Sequence, residues 1–234
     1  VRRTADIIRR AWSMAISGRP GPVVVALPED ILTQTADILI PQQKIKIPLG
    51  GAMPQDVLQL SKKMQGARRP VIMVGGGGWT DLDRSALQKF VKKVNIPVVT
   101  AFRYHDLFDN TDPLYLGEAG VVMTANTKRI LQEADVVLAV NLRFGEMTTD
   151  AFSLFGQERS GQWIAQTHRS GDEFHKYVSP DLAMICSPSA VLQSLCDRLS
   201  HSNMQIDTTW VATARAGFET TQQAKLQPSS VDMG

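Results

Sequence analysis

Four consecutive glycines, Gly75 to Gly78, follow a short apolar run and precede a helical pattern. Glycine has no Cβ atom, so the backbone there can approach a ligand closely and adopt left-handed conformations. The N–H groups at the start of a helix also attract phosphate. Gly75, Gly76 and Gly77 are therefore a candidate nucleotide-binding loop. A tight turn between a strand and a helix is the alternative interpretation of the same residues.

Three arginines, Arg103, Arg143 and Arg169, each follow another predicted strand. In open α/β sheets ligands bind beyond the carboxyl ends of the strands, where arginines neutralise pyrophosphate or hold planar rings. The dinucleotide fingerprint is incomplete, because Thr80 stands where its third glycine belongs. No acidic residue follows at the distance that would place it on a ribose hydroxyl. The sequence gives little support to an NAD site of the dehydrogenase type.

Other reactive residues lack the spacing that their chemistry needs. The four histidines show no metal-ligand pattern. Asp106, Asp109 and Asp112 resemble part of a calcium loop, but no glutamate follows at its twelfth position and Pro113 interrupts it. No Gly-x-Ser-x-Gly elbow occurs, so a hydrolase triad has no support. We predict neither a metal ligand nor a catalytic residue in this chain.

Composition sets the class of protein. Of 234 residues, 43% are hydrophobic and 21% charged, which is typical of a globular chain. The net charge of +2, without a basic block, argues against a nucleic-acid partner. The longest apolar runs are far shorter than the ~20 residues that span a bilayer, so no membrane partner is expected. Cys186 and Cys196 form neither a disulfide framework nor a zinc knuckle, which favours a cytoplasmic protein.

Helix and strand patterns alternate from residue 55 to residue 200. The strand patterns are continuous apolar runs, typical of a parallel sheet that is buried on both faces. We therefore predict an α/β fold, a Rossmann-like parallel sheet with helices on both faces. The expected strands are 71–74, 97–100, 136–140, 163–166 and 182–185. The expected helices lie before residue 69 and at 81–94, 124–134 and 188–199, with Thr124 and Ser187 as N-caps of the last two.

The segments on either side of this domain have another character. The pattern of residues 1–32 predicts one helix and one strand, Val23–Leu27, with no partner strand nearby in the sequence. A single helix and strand cannot build a hydrophobic core alone. They are expected to end a preceding domain of a longer protein. The proline-containing residues 33–54 predict a linker. Residues 201–234 predict a second linker or tail, with one helical pattern near residues 210–223.

Five segments of the sequence form a recognisable series: GRPGPVVVALPED (18–30), RPVIMVGGG (69–77), NIPVVT (95–100), LGEAG (116–120) and ADVVLAVNLRF (134–144). In this order they resemble thiamine-diphosphate enzymes of the acetolactate synthase group. The resemblance implies that residues 1–32 end the pyrimidine-binding domain of such an enzyme. Residues 55–200 would be its central, Rossmann-like domain, and residues 201–234 would lead towards a diphosphate-binding domain.

The resemblance also implies cofactors and partners. Thiamine diphosphate and Mg²⁺ would be held by the N- and C-terminal domains of the parent protein, so this chain would not catalyse alone. The substrate would be a small 2-keto acid or acyl compound, and the parent a homo-oligomer. In this group the central domain binds FAD, and in related decarboxylases ADP or nothing. The family's FAD contacts fall here on Gly75, Gly76, Gly77, Thr100, Leu116, Gly117, Arg143 and Phe144.

The sequence departs from acetolactate synthases after the strand at 136–140. Asn141 stands where the family has glycine, and Gly145 replaces an aspartate. Met147 replaces the arginine that would hold the carboxylate of the acceptor keto acid. The resemblance therefore implies a decarboxylase or carboligase, a lyase or transferase, of unassigned substrate. The alternatives are a stand-alone nucleotide-binding module and a ligand-free spacer domain.

Overall fold

The structure is a computed structural model that describes residues 1–40, 42–156 and 161–223. The chain divides into two compact units, Val1–Leu49 and Gly50–Gly234. The division falls inside the predicted linker, 33–54. Residues 224–234, the end of the predicted tail, lie outside the described residues.

The first unit contains two helices, α1 (Thr4–Ile16) and α2 (Glu29–Leu32). No residue of α1 is buried, and Trp12 is 63% exposed. The predicted strand Val23–Leu27 is not formed: these residues belong to no strand, and Val24 is 93% exposed. A strand exists only when its backbone pairs with a neighbour, and within the described part of this unit no strand is present to provide one.

The second unit contains a six-stranded parallel sheet, which confirms the predicted fold class. Its strands are β1 (Pro70–Val74), β2 (Val98–Ala101), β3 (Tyr115–Ala119), β4 (Val136–Val140), β5 (Trp163–His168) and β6 (Leu182–Ile185). Its helices are α3 (Pro54–Gln65), α4 (Asp81–Val94), α5 (Ala125–Glu133), α6 (Pro188–Leu199) and α7 (Thr208–Thr221). The strand order is β3-β2-β1-β4-β5-β6.

Helices cover the sheet on both faces, and each face has its own core. On one face, α3, α4 and α6 pack over alternate strand residues such as Ile72 and Leu138. On the other face, α5 and α7 pack over the intervening residues, such as Met73 and Val137. Side chains alternate between the two faces of a strand. A strand covered on both sides therefore needs apolar residues throughout, as Val136–Val140 has.

The helices begin where the sequence contains capping residues. The Thr80 hydroxyl accepts a hydrogen bond from the Asp83 N–H at the start of α4. The predicted N-caps Thr124 and Ser187 are confirmed, since each side chain accepts a hydrogen bond from the third helical N–H. Asn95 ends α4 with a left-handed φ of 57°. Capping satisfies backbone N–H groups that have no partner within the helix.

One strand was not predicted, and one predicted helix belongs to the domain rather than to a linker. The edge strand β3 was not predicted from the sequence as a strand, because Gly117 and Glu118 interrupt its apolar pattern. Helix α7 begins beyond residue 200, where the sequence ends the domain, yet it packs on the sheet face: Trp210 is 5% exposed and Ala214 is fully buried. The core of the central unit therefore continues past residue 200.

Candidate functional site

The candidate site lies where the strand order changes direction. From β1 the chain runs outward through β2 and β3, then crosses to β4 on the other side of β1. The loops after β1 and β4 therefore diverge at the carboxyl edge of the sheet. In doubly wound sheets this switch point forms the crevice in which ligands bind. Here the glycine loop, Gly75 to Gly78, borders one side of the crevice, and the loop beginning at Asn141 borders the other.

Close packing explains two of the glycines. A Cβ atom on Gly75 would stand 2.8 Å from Cβ of Ala101 and from Cδ1 of Leu142. Gly76 has a left-handed φ of 71°, and a Cβ there would collide with the backbone oxygen of Asn141. Gly77 differs, because a Cβ atom at that position would meet nothing within 4 Å. Gly75 and Gly76 therefore bring the β1 and β4 loops together, while Gly77 faces open space.

Asn141 joins the two loops directly. Its side-chain Nδ2 donates to the carbonyl oxygens of Gly75 (3.3 Å) and Gly77 (3.0 Å). The residue is 1% exposed and has a left-handed φ of 52°. Asparagine is one of the few residues besides glycine that adopt this conformation readily. The side chain thus bridges the loops that follow β1 and β4.

The start of α4, next to the glycine loop, already holds a carboxylate. Oδ2 of Asp83 accepts hydrogen bonds from the Thr80 N–H (3.0 Å) and hydroxyl (2.8 Å), and Oδ1 accepts from the Ser189 N–H (2.8 Å). Burial raises the pKa of Asp83, but these hydrogen bonds outweigh burial and hold the pKa below its usual range. This helix start, a candidate phosphate site from the sequence, therefore carries a buried negative charge.

The three candidate arginines have different environments. Arg169 donates to Asp83 at 2.7 Å, in an ion pair whose carboxylate side chain is 1% exposed. Arg143 is about half exposed, with Nε 3.9 Å from Oε2 of the buried Glu173. The Arg103 guanidinium lies 4.9 Å from the ring centroid of Phe102. Arg169 thus balances a charge within the fold, whereas Arg143 and Arg103 are exposed at the carboxyl edge.

The remaining predicted contacts lie in packed surroundings. Thr100 is fully buried, and its hydroxyl lies 3.0 Å from the Tyr115 hydroxyl. Leu116 is fully buried in the core beneath α5 and α7. The Phe144 ring is 3% exposed and packs edge-on against Phe155. A role in FAD binding stays a prediction for these residues, whose side chains here serve the core.

Gly117 lies on the edge strand, away from the glycine loop. It has a φ of 117°, and a Cβ there would stand 2.8 Å from Thr127 Oγ1 and 3.4 Å from Phe218. Phe218 in turn packs edge-on against Tyr115. The absence of a side chain at Gly117 is thus explained by contact with α5 and α7. Its predicted contact with FAD remains untested.

Sequence reasoning missed two buried carboxylates of this edge. Asp83 joins the starts of α4 and α6 to Arg169, as described above. Glu173 is 4% exposed and pairs with Lys176 (3.3 Å) in addition to Arg143. A signal existed for Asp83, because a threonine followed three residues later by an acid is a capping box. Nothing in the sequence around Glu173 distinguishes it from a surface acid.

Within the described ranges, no group of three or more histidine, cysteine or acidic side chains is arranged to hold a metal ion. The same ranges contain no helix with the length and apolar character needed to cross a bilayer. Cys186 is 1% exposed, and burial together with the nearby Asp56 raises the pKa of its thiol to about 12. That thiol is therefore not a nucleophile in the folded protein.

Comparison with known protein families identifies the class. Residues 57–195 match the family described as "Thiamine pyrophosphate enzyme, central domain". The match covers more than half of the chain, from α3 to α6, and includes the whole parallel sheet. The chain therefore belongs to this family, as the resemblance of its motifs implies.

The individual relatives include acetolactate synthases. The chain is 29% identical over 203 residues to the probable acetolactate synthase large subunit of Methanococcus aeolicus, covering 84% of this chain and 33% of that protein. It is 28% identical over 211 residues to acetolactate synthase isozyme 3 large subunit of Escherichia coli, covering 87% and 36%. For acetolactate synthase 1, chloroplastic, of Zea mays the identity is 29% over 197 residues, covering 81% and 30%. The chain thus spans about a third of the length of the relatives it matches.

Proposed function

We propose that this chain is the central part of a thiamine-diphosphate-dependent decarboxylase or carboligase, which acts on a small 2-keto acid or acyl substrate. The observation that carries the proposal is the family match over residues 57–195. The matched residues contain the complete doubly wound sheet. The relatives are acetolactate synthase large subunits about three times as long as the matched region. Thiamine diphosphate and Mg²⁺ would be held by the other domains of the parent protein.

Within such an enzyme, this chain's residues would serve binding and positioning. The buried Asp83–Arg169 pair and the capped starts of α4 and α6 make the carboxyl edge of the sheet a fixed platform. Thiamine diphosphate, where bound, supplies an electron sink for carbon–carbon bond cleavage and formation. Met147 lies in the loop after β4 and is 48% exposed. It presents a thioether at the position where acetolactate synthases would have an arginine to hold the carboxylate of the acceptor keto acid. We therefore expect the parent to prefer an acceptor other than a second 2-keto acid.

The test uses the full-length parent and the present chain side by side. We expect thiamine diphosphate with Mg²⁺ to raise the melting temperature of the parent and not that of this chain. A ligand at 100 times its Kd stabilises a protein by about 2.7 kcal/mol. Chelation of Mg²⁺ by EDTA should abolish the shift. If the parent neither shifts nor consumes any of a panel of 2-keto acids and acyl donors, the proposal is wrong.

A second candidate concerns the central domain itself. The glycine loop is the proposed site for FAD or ADP, supported by the open space at Gly77 and the exposed Arg143. The alternative is a ligand-free domain that only spaces the catalytic domains. Asn141 supports this alternative, because its amide fills the crevice between the two loops. A nucleotide diphosphate fits the crevice only if that side chain leaves it.

A further inference from the structure

We propose that Asn141 is a specificity-determining residue that closes the switch-point crevice against adenine nucleotides. The inference concerns the glycine-loop site of the proposed function and favours its ligand-free alternative. The amide of Asn141 makes, within the chain, the contacts that the loop would otherwise offer to a ligand. The domain is then complete without FAD or ADP.

The polarity of the crevice supports this role. The loop presents the carbonyl oxygens of Gly75 and Gly77 to the Asn141 side chain. The Gly75 oxygen also accepts from the Trp79 indole N–H at 2.7 Å. Carbonyl oxygens only accept hydrogen bonds, so any group that they bind must donate. The two N–H groups of an amide match two carbonyls. A ribose or ribitol hydroxyl could donate to these carbonyls, but it would first have to displace the amide.

The surrounding charge points the same way. The N–H groups of Thr80 and Ser189 next to the crevice donate to Asp83, whose carboxylate is buried. The Arg169 guanidinium donates a hydrogen bond to the same carboxylate at 2.7 Å. Of the residues bordering the crevice, Arg143 presents an exposed cation, 3.9 Å from Glu173. A nucleotide would also have to displace the two hydrogen bonds of Asn141, one of which is buried.

The backbone at Asn141 makes the residue replaceable. Its φ of 52° is a conformation that glycine adopts without strain. Its own N–H lies 3.4 Å from the Thr167 hydroxyl, a contact that does not involve the side chain. Asn141→Gly should therefore keep the loop path and remove only the amide. The variant opens the crevice between Gly75 and Gly77 while leaving Arg143 in place.

The experiment compares FAD and ADP binding to the wild type, Asn141→Gly and Asn95→Gly by equilibrium dialysis and thermal unfolding. Asn95 is the matched control, since it is also left-handed (φ 57°) but caps α4 at its far end. We expect Asn141→Gly to bind FAD or ADP at least about tenfold more tightly than the other two, because two hydrogen bonds no longer have to be broken. A rise in its melting temperature with the nucleotide should accompany binding.

Two results would overturn the proposal. Equal binding by the wild type and Asn141→Gly would show that Asn141 does not exclude nucleotides, and absence of binding by both would show that the crevice is not a nucleotide site.

Asn141→Asp provides a separate test without a ligand. The substitution keeps the shape of the side chain but replaces the donating amide NH₂ with a carboxylate oxygen that faces two carbonyl oxygens. Its melting temperature should fall by several degrees, and an unchanged value would contradict the bridging role. Neither result depends on whether the parent binds thiamine diphosphate.

Discussion

Neighbouring glycines of one loop have different roles, and only some of them require glycine. Gly76 is left-handed and lies against the backbone of Asn141, whereas Gly77 has no neighbour at its missing Cβ. Composition alone cannot show this difference, because both positions are the same residue in the same run. The requirement for glycine is set by a loop that lies more than sixty residues further along the chain.

We predict that Gly76→Ala destabilises the protein and Gly77→Ala does not. The left-handed conformation costs an alanine about 1–2 kcal/mol, and the collision with the Asn141 backbone adds to this cost. At Gly77 an alanine removes freedom from the unfolded chain without strain, which is neutral or stabilises by up to about 1 kcal/mol. Urea unfolding measures both. Equal effects of the two substitutions would mean that the loop path differs from the one described.

At the same scale, the sequence indicated which residues follow the strands but not what those residues contact. The glycines and Arg143 were identified from their positions after predicted strands, and Asn141 from its departure from the family pattern. That Asn141 bridges Gly75 and Gly77 depends on β1 and β4 being adjacent, which the strand patterns do not determine. Likewise, Arg169 was an available cation in the sequence, and only the fold places Asp83 beside it.

Among the elements, α7 shows how a polar helix can belong to the core. Trp210 packs beneath the sheet, and its indole Nε1 donates to Glu133 Oε2 at 2.8 Å. Arg215 on the same helix donates to the carbonyl oxygens of Asp112 and Tyr115. Few apolar residues suffice here because the helix is held through polar contacts, and this pattern resembles a linker in the sequence.

We predict that Trp210→Ala lowers the free energy of unfolding of the central unit by about 3–5 kcal/mol, the usual cost of removing a buried tryptophan. Thr209→Ala, at the exposed neighbouring position, should change it by less than about 0.5 kcal/mol. Chemical denaturation followed by circular dichroism distinguishes the two variants. Similar small effects would favour the sequence-based interpretation, in which residues beyond 200 form a linker.

The missed strand β3 has a physical explanation as well. Sequence patterns find strands that are apolar throughout, such as β4, because both of its faces are covered. An edge strand pairs on one side only, so it tolerates Gly117 and Glu118. The order of the strands, and hence the position of the crevice, could not be derived from the strand patterns alone.

For the molecule as a whole, Cys186 can report on global unfolding. The residue directly follows β6 and is 1% exposed, and burial raises the pKa of its thiol to about 12. Cys196 is partly exposed on α6. The two thiols therefore differ in accessibility within one folded unit.

We predict that a thiol-specific reagent modifies one thiol per chain under native conditions and two in denaturant. Replacing Cys196 with serine should leave a protein whose labelling follows the unfolding of the central unit. Its urea dependence should match that of circular dichroism, if this unit unfolds in one step. Rapid native labelling of the Cys196→Ser variant would contradict the burial of Cys186.

The reversal of strand order between β1 and β4 also affects how the domain is made. During synthesis, β1, β2 and β3 leave the ribosome before β4, so β1 is paired on one flank and open on the other. An unpaired apolar edge accepts any strand of matching register. Until its own β4 arrives, the first half of one chain can therefore pair with β4 of a neighbouring copy. This topology therefore favours one form of misassembly, in which two nascent chains exchange the β4–β6 halves of their sheets.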